Sequence, residues 1–75
     1  MVTVYTTSVC PYCHMAKEYL EKNDIKFKEV NVEEDEAAAR EMIQKSHQMG
    51  VPVLDINNTI IVGFDKAGID KALGL

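Results

Sequence analysis

Val2-Thr3-Val4-Tyr5-Thr6-Thr7-Ser8-Val9-Cys10-Pro11-Tyr12-Cys13 is the stretch that decides the fold. Val2 and Val4 alternate with Thr3 and Tyr5, the period-two pattern of a half-buried strand. Thr6 to Val9 reads as a short turn. Pro11 suits the first position of a helix, where its missing N–H is not needed, so a helix is predicted to start at Cys10. Along it Tyr12, Cys13, Ala16, Tyr19 and Leu20 share one side and His14, Lys17, Glu18 and Glu21 the other, with an end near Asn23-Asp24. Two cysteines therefore stand three apart at the entry to a helix that directly follows a strand.

Outward from that unit, Ile25 to Val32 reads as a second strand with a flaw. Ile25 and Phe27 keep one phase while Val30 and Val32 keep the other, a slip that a bulge would produce. Glu33-Glu34-Asp35-Glu36 precedes Ala37-Ala38-Ala39, which opens a helix running to about Ser46. Acidic residues at a helix N-terminus suit the macrodipole, and a divalent metal site is the rival reading of that run. Val51 to Ile56 and Thr59 to Val62 are two apolar strands, joined by Asn57-Asn58 as a two-residue hairpin because Asn tolerates positive φ. Asp65 caps a last short helix that buries Ile69, Ala72 and Leu73, and Gly74 stops it. The expected fold is α/β in the order β-α-β-α-β-β-α, a four-stranded mixed sheet with three helices on its two faces.

Seventy-five residues fit one domain, 1–75, with a core small enough to demand economy. A net charge of −4 argues against nucleic acid, which needs clustered Lys and Arg. No apolar run is long enough to span a membrane, and the N-terminus begins a strand at once instead of a signal peptide. A cytoplasmic protein is expected. There a structural disulfide is disfavoured, so the cysteines do chemistry or bind metal. Zinc would want four ligands, and only His14 and His47 remain, out of ligand-like spacing. Two inert buried cysteines are the other alternative. On a helix, residues three apart face each other across one turn, a distance that suits a reversible disulfide. Cys10, at the helix start, has its thiolate stabilised by unpaired N–H groups and the dipole, while Cys13 lies one turn inside. Cys10 is therefore assigned the attack and Cys13 the resolution.

Val4-Tyr5-Thr6, Cys10-Pro11-Tyr12-Cys13 with His14 and Ala16-Lys17, Gly50-Val51-Pro52-Val53, and Val62-Gly63-Phe64-Asp65 together resemble the glutaredoxins of the thioredoxin-fold group. The resemblance covers nearly the whole chain. It implies a cis-proline at Pro52, with the backbone of Val51 turned toward the reactive cysteine to pair with an extended substrate. It implies further that Gly63, Phe64 and Asp65 hold the γ-glutamyl end of glutathione and that Tyr12 contacts the tripeptide beside the sulfur. No bound cofactor or metal is implied; glutathione is the co-substrate, and disulfide-containing or glutathionylated proteins are the partners of a monomer. The departures from the family pattern are Thr7 where a Lys or Arg is usual, Gly50 where Thr precedes Val-Pro, and Val62-Gly63 for Gly-Gly. Gln48 either hydrogen-bonds a ligand carboxylate or, like His47, is simply a solvated residue. Two alternatives stand beside the glutathione reading: a thioredoxin-like donor recharged by a flavoprotein reductase, and an iron–sulfur carrier. The second suits chains with a single cysteine better than one with Pro11 stiffening the loop.

Overall fold

The computed structural model describes residues 1–75. Its elements are β1 (Val2–Thr6), α1 (Pro11–Lys22), β2 (Lys28–Asn31), α2 (Glu36–Ser46), β3 (Val53–Ile56), β4 (Thr59–Val62) and α3 (Lys66–Leu73). The order is the one expected, and the strands form one mixed sheet, β2-β1-β3-β4. β1 runs parallel to β2 and antiparallel to β3, and β3 and β4 form the hairpin. Asn57 and Asn58 take φ of 50° and 74°, the left-handed pair that a tight two-residue turn requires.

Alternation along β1 and β3 divides the core in two. Val2, Val4, Leu54 and Ile56 face α1 and α3, where they meet Ala16, Leu20 and Ile69. Tyr5 and Val53 face the other way and pack on Met42 of α2. Burying both faces of so short a sheet stabilises it without long loops.

This two-sided burial corrects the reading of the second strand. β2 holds only Lys28–Asn31, and its register against β1 is continuous, Thr3 with Lys28 through Thr6 with Asn31, so there is no bulge. Ile25 and Phe27 precede the strand and pack toward α1, whereas Val30 and Val32 pack toward α2. The phase change is a change of face, because the strand has a hydrophobic layer on each side. β3 likewise begins at Val53 instead of Val51, after a cis Val51-Pro52 bond. The helices start one residue from the predicted positions. Cys10 is the N-cap of α1 and not its first residue, and α2 begins at Glu36 because Asp35 caps it, its carboxylate accepting from the Ala38 N–H. Asp65 caps α3 through the Gly68 N–H, and Gly74, at φ 78°, ends it, both as expected.

Candidate active site

Register brings three distant segments to one end of the sheet. β1 runs into the turn that carries Cys10, and Tyr5 pairs with Val53, so Pro52 and Val51 lie beyond the same edge. Val53 pairs in turn with Val62, and the Gly63 N–H donates to the Pro52 carbonyl at 2.8 Å, which puts Gly63, Phe64 and Asp65 next in line. The predicted site residues therefore converge, although 38 positions separate Cys13 from Val51 in sequence.

Cys10 and Cys13 form a disulfide with a Cα–Cα distance of 5.2 Å. Cys10 has the extended backbone of an N-cap, and its Sγ accepts from the Cys13 N–H at 3.1 Å. After reduction that N–H and the positive end of α1 favour the thiolate at Cys10. Cys13 is 2% exposed and Cys10 only partly buried, so the two sulfurs differ in access.

Tyr12 departs from the expected apolar side of α1: it is 62% exposed, because the first turn projects beyond the sheet that covers Cys13, Ala16 and Leu20. Val9, in the turn before Cys10, is 89% exposed, and Met49, in the segment before Pro52, is 79% exposed. Neither cysteine lines any of the molecule's four clefts. The disulfide is presented on an open, partly apolar surface, which suits exchange with a group on a large partner.

The neighbouring backbone is prepared for pairing. The Val51 N–H and C=O take no partner within the chain, and neither do the N–H groups of Phe64 and Asp65. Half-buried polar backbone without a partner is uncommon, and an extended ligand beside Val51 would satisfy it. Asp65 spends one carboxylate oxygen on the Gly68 N–H, at 3.1 Å, and keeps the other.

Gln48 is neither turned to a ligand nor left in solvent, the two alternatives its sequence position offered. Its Oε1 accepts from the Gly50 N–H at 2.6 Å, and its Nε2 donates to the Gly50 carbonyl at 2.9 Å and to Ser46 Oγ at 3.2 Å. A Cβ on Gly50 would come within 2.7 Å of that Oε1. The absence of a side chain at position 50, read above only as a departure from a pattern, lets this clasp close.

A second clasp was not foreseen. The Ser8 N–H donates to the Glu33 carboxylate at 2.5 Å, the Glu33 N–H to Asn31 Oδ1 at 2.9 Å, and Asn31 Nδ2 to Ser8 Oγ at 3.1 Å. This ring ties the turn before Cys10 to the end of β2. The only signal in the sequence was the acidic run itself, which reads as a helix N-terminus and was assigned wholly to α2.

A family model described as Glutaredoxin matches residues 2–61. The chain is 48% identical, over 97% of its own length and 97% of the relative's, to a glutaredoxin-like protein in a rubredoxin operon of Clostridium pasteurianum. It is 38% identical to glutaredoxin 3 of Escherichia coli, covering 96% of this chain and 95% of that one. The structure of NrdH-redoxin from Escherichia coli, a glutaredoxin-like protein described as having a thioredoxin-like activity profile, superposes with a TM-score of 0.84 at 26% identity, covering 93% of this chain and 91% of the other.

Proposed function

The chain belongs to the glutaredoxin family of thiol–disulfide oxidoreductases, and from that premise we propose that it reduces protein disulfides and glutathione mixed disulfides with glutathione as co-substrate. The observation that carries this reading is the convergence of the Cys10–Cys13 disulfide with the unpartnered backbone of Val51 and of Phe64-Asp65. In the reduced protein the Cys10 thiolate attacks one sulfur of the substrate disulfide and expels the other as a thiolate. Cys13 then attacks Cys10 Sγ and releases the bound half as a thiolate, or, where that half is glutathione, a second glutathione attacks its sulfur, forming glutathione disulfide and expelling the Cys10 thiolate. Val51 pairs with the cysteinyl backbone of the tripeptide beside cis-Pro52. The N–H groups at Phe64 and Asp65 hold the γ-glutamyl carboxylate, the free oxygen of Asp65 receives the ammonium, and Tyr12 lies along the substrate.

One feature favours a second reading, a thioredoxin-like donor recharged by a flavoprotein reductase. The glycyl carboxylate of glutathione finds no cation at Thr7, and Gln48 is spent on Gly50. The thioredoxin-like activity profile described for NrdH-redoxin supports the same reading. Turnover of a disulfide substrate is to be measured with glutathione and its reductase, and separately with thioredoxin reductase, NADPH supplying both. Activity in the first assay that is lost in Cys10→Ser supports the primary reading. Activity confined to the second assay replaces it with the alternative.

A further inference from the structure

No Lys or Arg side chain bonds to the turn that leads to Cys10, and the cation beside its start, Lys17, is neutralised by Glu29, whose same carboxylate oxygen accepts from Thr6 Oγ1 at 3.1 Å. Lys17 pairs with Glu29 at 2.8 Å, Arg40 with Glu36 at 3.1 Å, and Lys45 with Asp55 at 2.7 Å. Lys66 lies over the Tyr19 ring, 5.6 Å from its centroid. Lys22, Lys26, Lys28 and Lys71 sit at the opposite end of the sheet, where α1 and α3 finish and β2 begins. The charge fastened to the catalytic turn is instead negative. Glu33 is fixed there by the three-membered ring with Ser8 and Asn31, and Glu34 and Asp35 follow it. From Ser8 the chain reaches Cys10 in two residues, so the Glu33 carboxylate stands within about 12 Å of the Cys10 Cα. At that range a fixed charge is felt through solvent at low ionic strength and is damped at physiological salt.

We propose that Glu33, held on the Ser8 N–H, makes the exchange at Cys10 charge-selective, favouring disulfides that carry cationic groups beside the reacting sulfurs over those that carry carboxylates. The inference rests on Cys10 being the nucleophile, which both readings of the donor share, and because glutathione is itself an anion it weighs toward protein disulfides with cationic surroundings as the substrates. The ring matters because it removes the freedom of a surface glutamate: the charge is present at a constant place whenever a substrate sulfur approaches. A cation on the substrate is attracted during approach and remains favoured in the mixed disulfide. A carboxylate is repelled in both.

The test uses the pre-reduced protein in single turnover, so that its dithiol is the only reductant. One small disulfide is converted to two thiols as Cys10 and Cys13 are oxidised, and the two thiol protons end on the products. Cystamine, hydroxyethyl disulfide and dithiodipropionate supply cationic, neutral and anionic substrates, each rate being normalised to the same reaction with dithiothreitol. The expected order is cystamine, then hydroxyethyl disulfide, then dithiodipropionate, with a spread of about threefold at roughly 10 mM ionic strength that shrinks to less than about 1.5-fold at 150 mM. Glu33→Gln keeps an oxygen to accept the Ser8 N–H and is expected to compress the spread, whereas a merely structural role would change all three rates by one factor. Equal normalised rates in the unmodified protein at low salt, or a full spread retained in Glu33→Gln, overturn the proposal. No reaction with any substrate would instead sink the assignment of Cys10 as nucleophile.

Discussion

Replacing Gly50 with alanine is expected to reverse its effect on stability according to what stands at position 48. The Gln48 amide makes three neutral hydrogen bonds, two to the Gly50 backbone and one to Ser46 Oγ. At a half-exposed site each contributes about 0.5 kcal/mol, or roughly 1.5 kcal/mol together. An alanine Cβ would stand 2.7 Å from Gln48 Oε1, the far end of a flexible side chain, which swings away and takes its bonds with it. Gly50 is not among the positive-φ glycines, so alanine is unstrained there and stabilises by about 0.4–1 kcal/mol through a less disordered unfolded chain. Gly50→Ala should therefore destabilise by about 0.5–1 kcal/mol, and Gln48→Ala by about 1.5 kcal/mol. With Gln48 already removed, Gly50→Ala should stabilise by the full 0.4–1 kcal/mol, roughly. Urea denaturation of the oxidised protein reads these as midpoint shifts at constant slope, near 1 M per kcal/mol for a chain of about this size. Equal effects of Gly50→Ala in both backgrounds would refute the reasoning, because the two residues would then be uncoupled.

Cys13→Ser should accumulate a mixed disulfide at Cys10 when mixed with a glutathionylated or protein substrate, and mass spectrometry of the adduct checks it; an adduct elsewhere contradicts the assigned roles. Lys45→Met leaves the carboxylate of Asp55, a residue only 8% exposed, with the Asn58 N–H as its remaining partner. A loss of about 2 kcal/mol is expected, mostly recovered by adding Asp55→Asn, and urea titration of the three proteins decides it. The Lys17 ammonium, followed by the Thr6 hydroxyl, holds the Glu29 carboxyl below its ordinary 4.5, and Lys45, followed by Tyr5, does the same for Glu41. A depressed folded value means that this stability is present above about pH 4.5 and lost as pH falls through the folded values. Lys17→Met should therefore flatten the acid limb of a melting-temperature profile, and an unchanged limb would remove Glu29 from the account.

Much of the site was written locally. The spacing of Cys10 and Cys13, the proline at the head of α1, the caps at Asp65 and Gly74 and the Asn57-Asn58 turn each depend on a few adjacent residues. Their geometry follows from backbone sterics and helix-end hydrogen bonding, which the sequence carries without reference to the rest of the chain. The cis bond before Pro52 was implied by family resemblance, since no local pattern distinguishes it from an ordinary trans proline. The strand order β2-β1-β3-β4 and its register were settled by the packing of α1 and α3 on one face and α2 on the other. The same packing explains the segment around β2, where Ile25 and Phe27 serve one layer and Val30 and Val32 the other and so defeat any single periodicity. Glu33 meets Ser8 across 25 positions, and Gln48 turns back on Gly50 instead of facing solvent. Such contacts depend on which side chains the finished sheet brings within hydrogen-bond reach. By itself the sequence determined that Cys10 and Cys13 do redox chemistry; only the tertiary structure decided which charges and which unpaired backbone groups surround them.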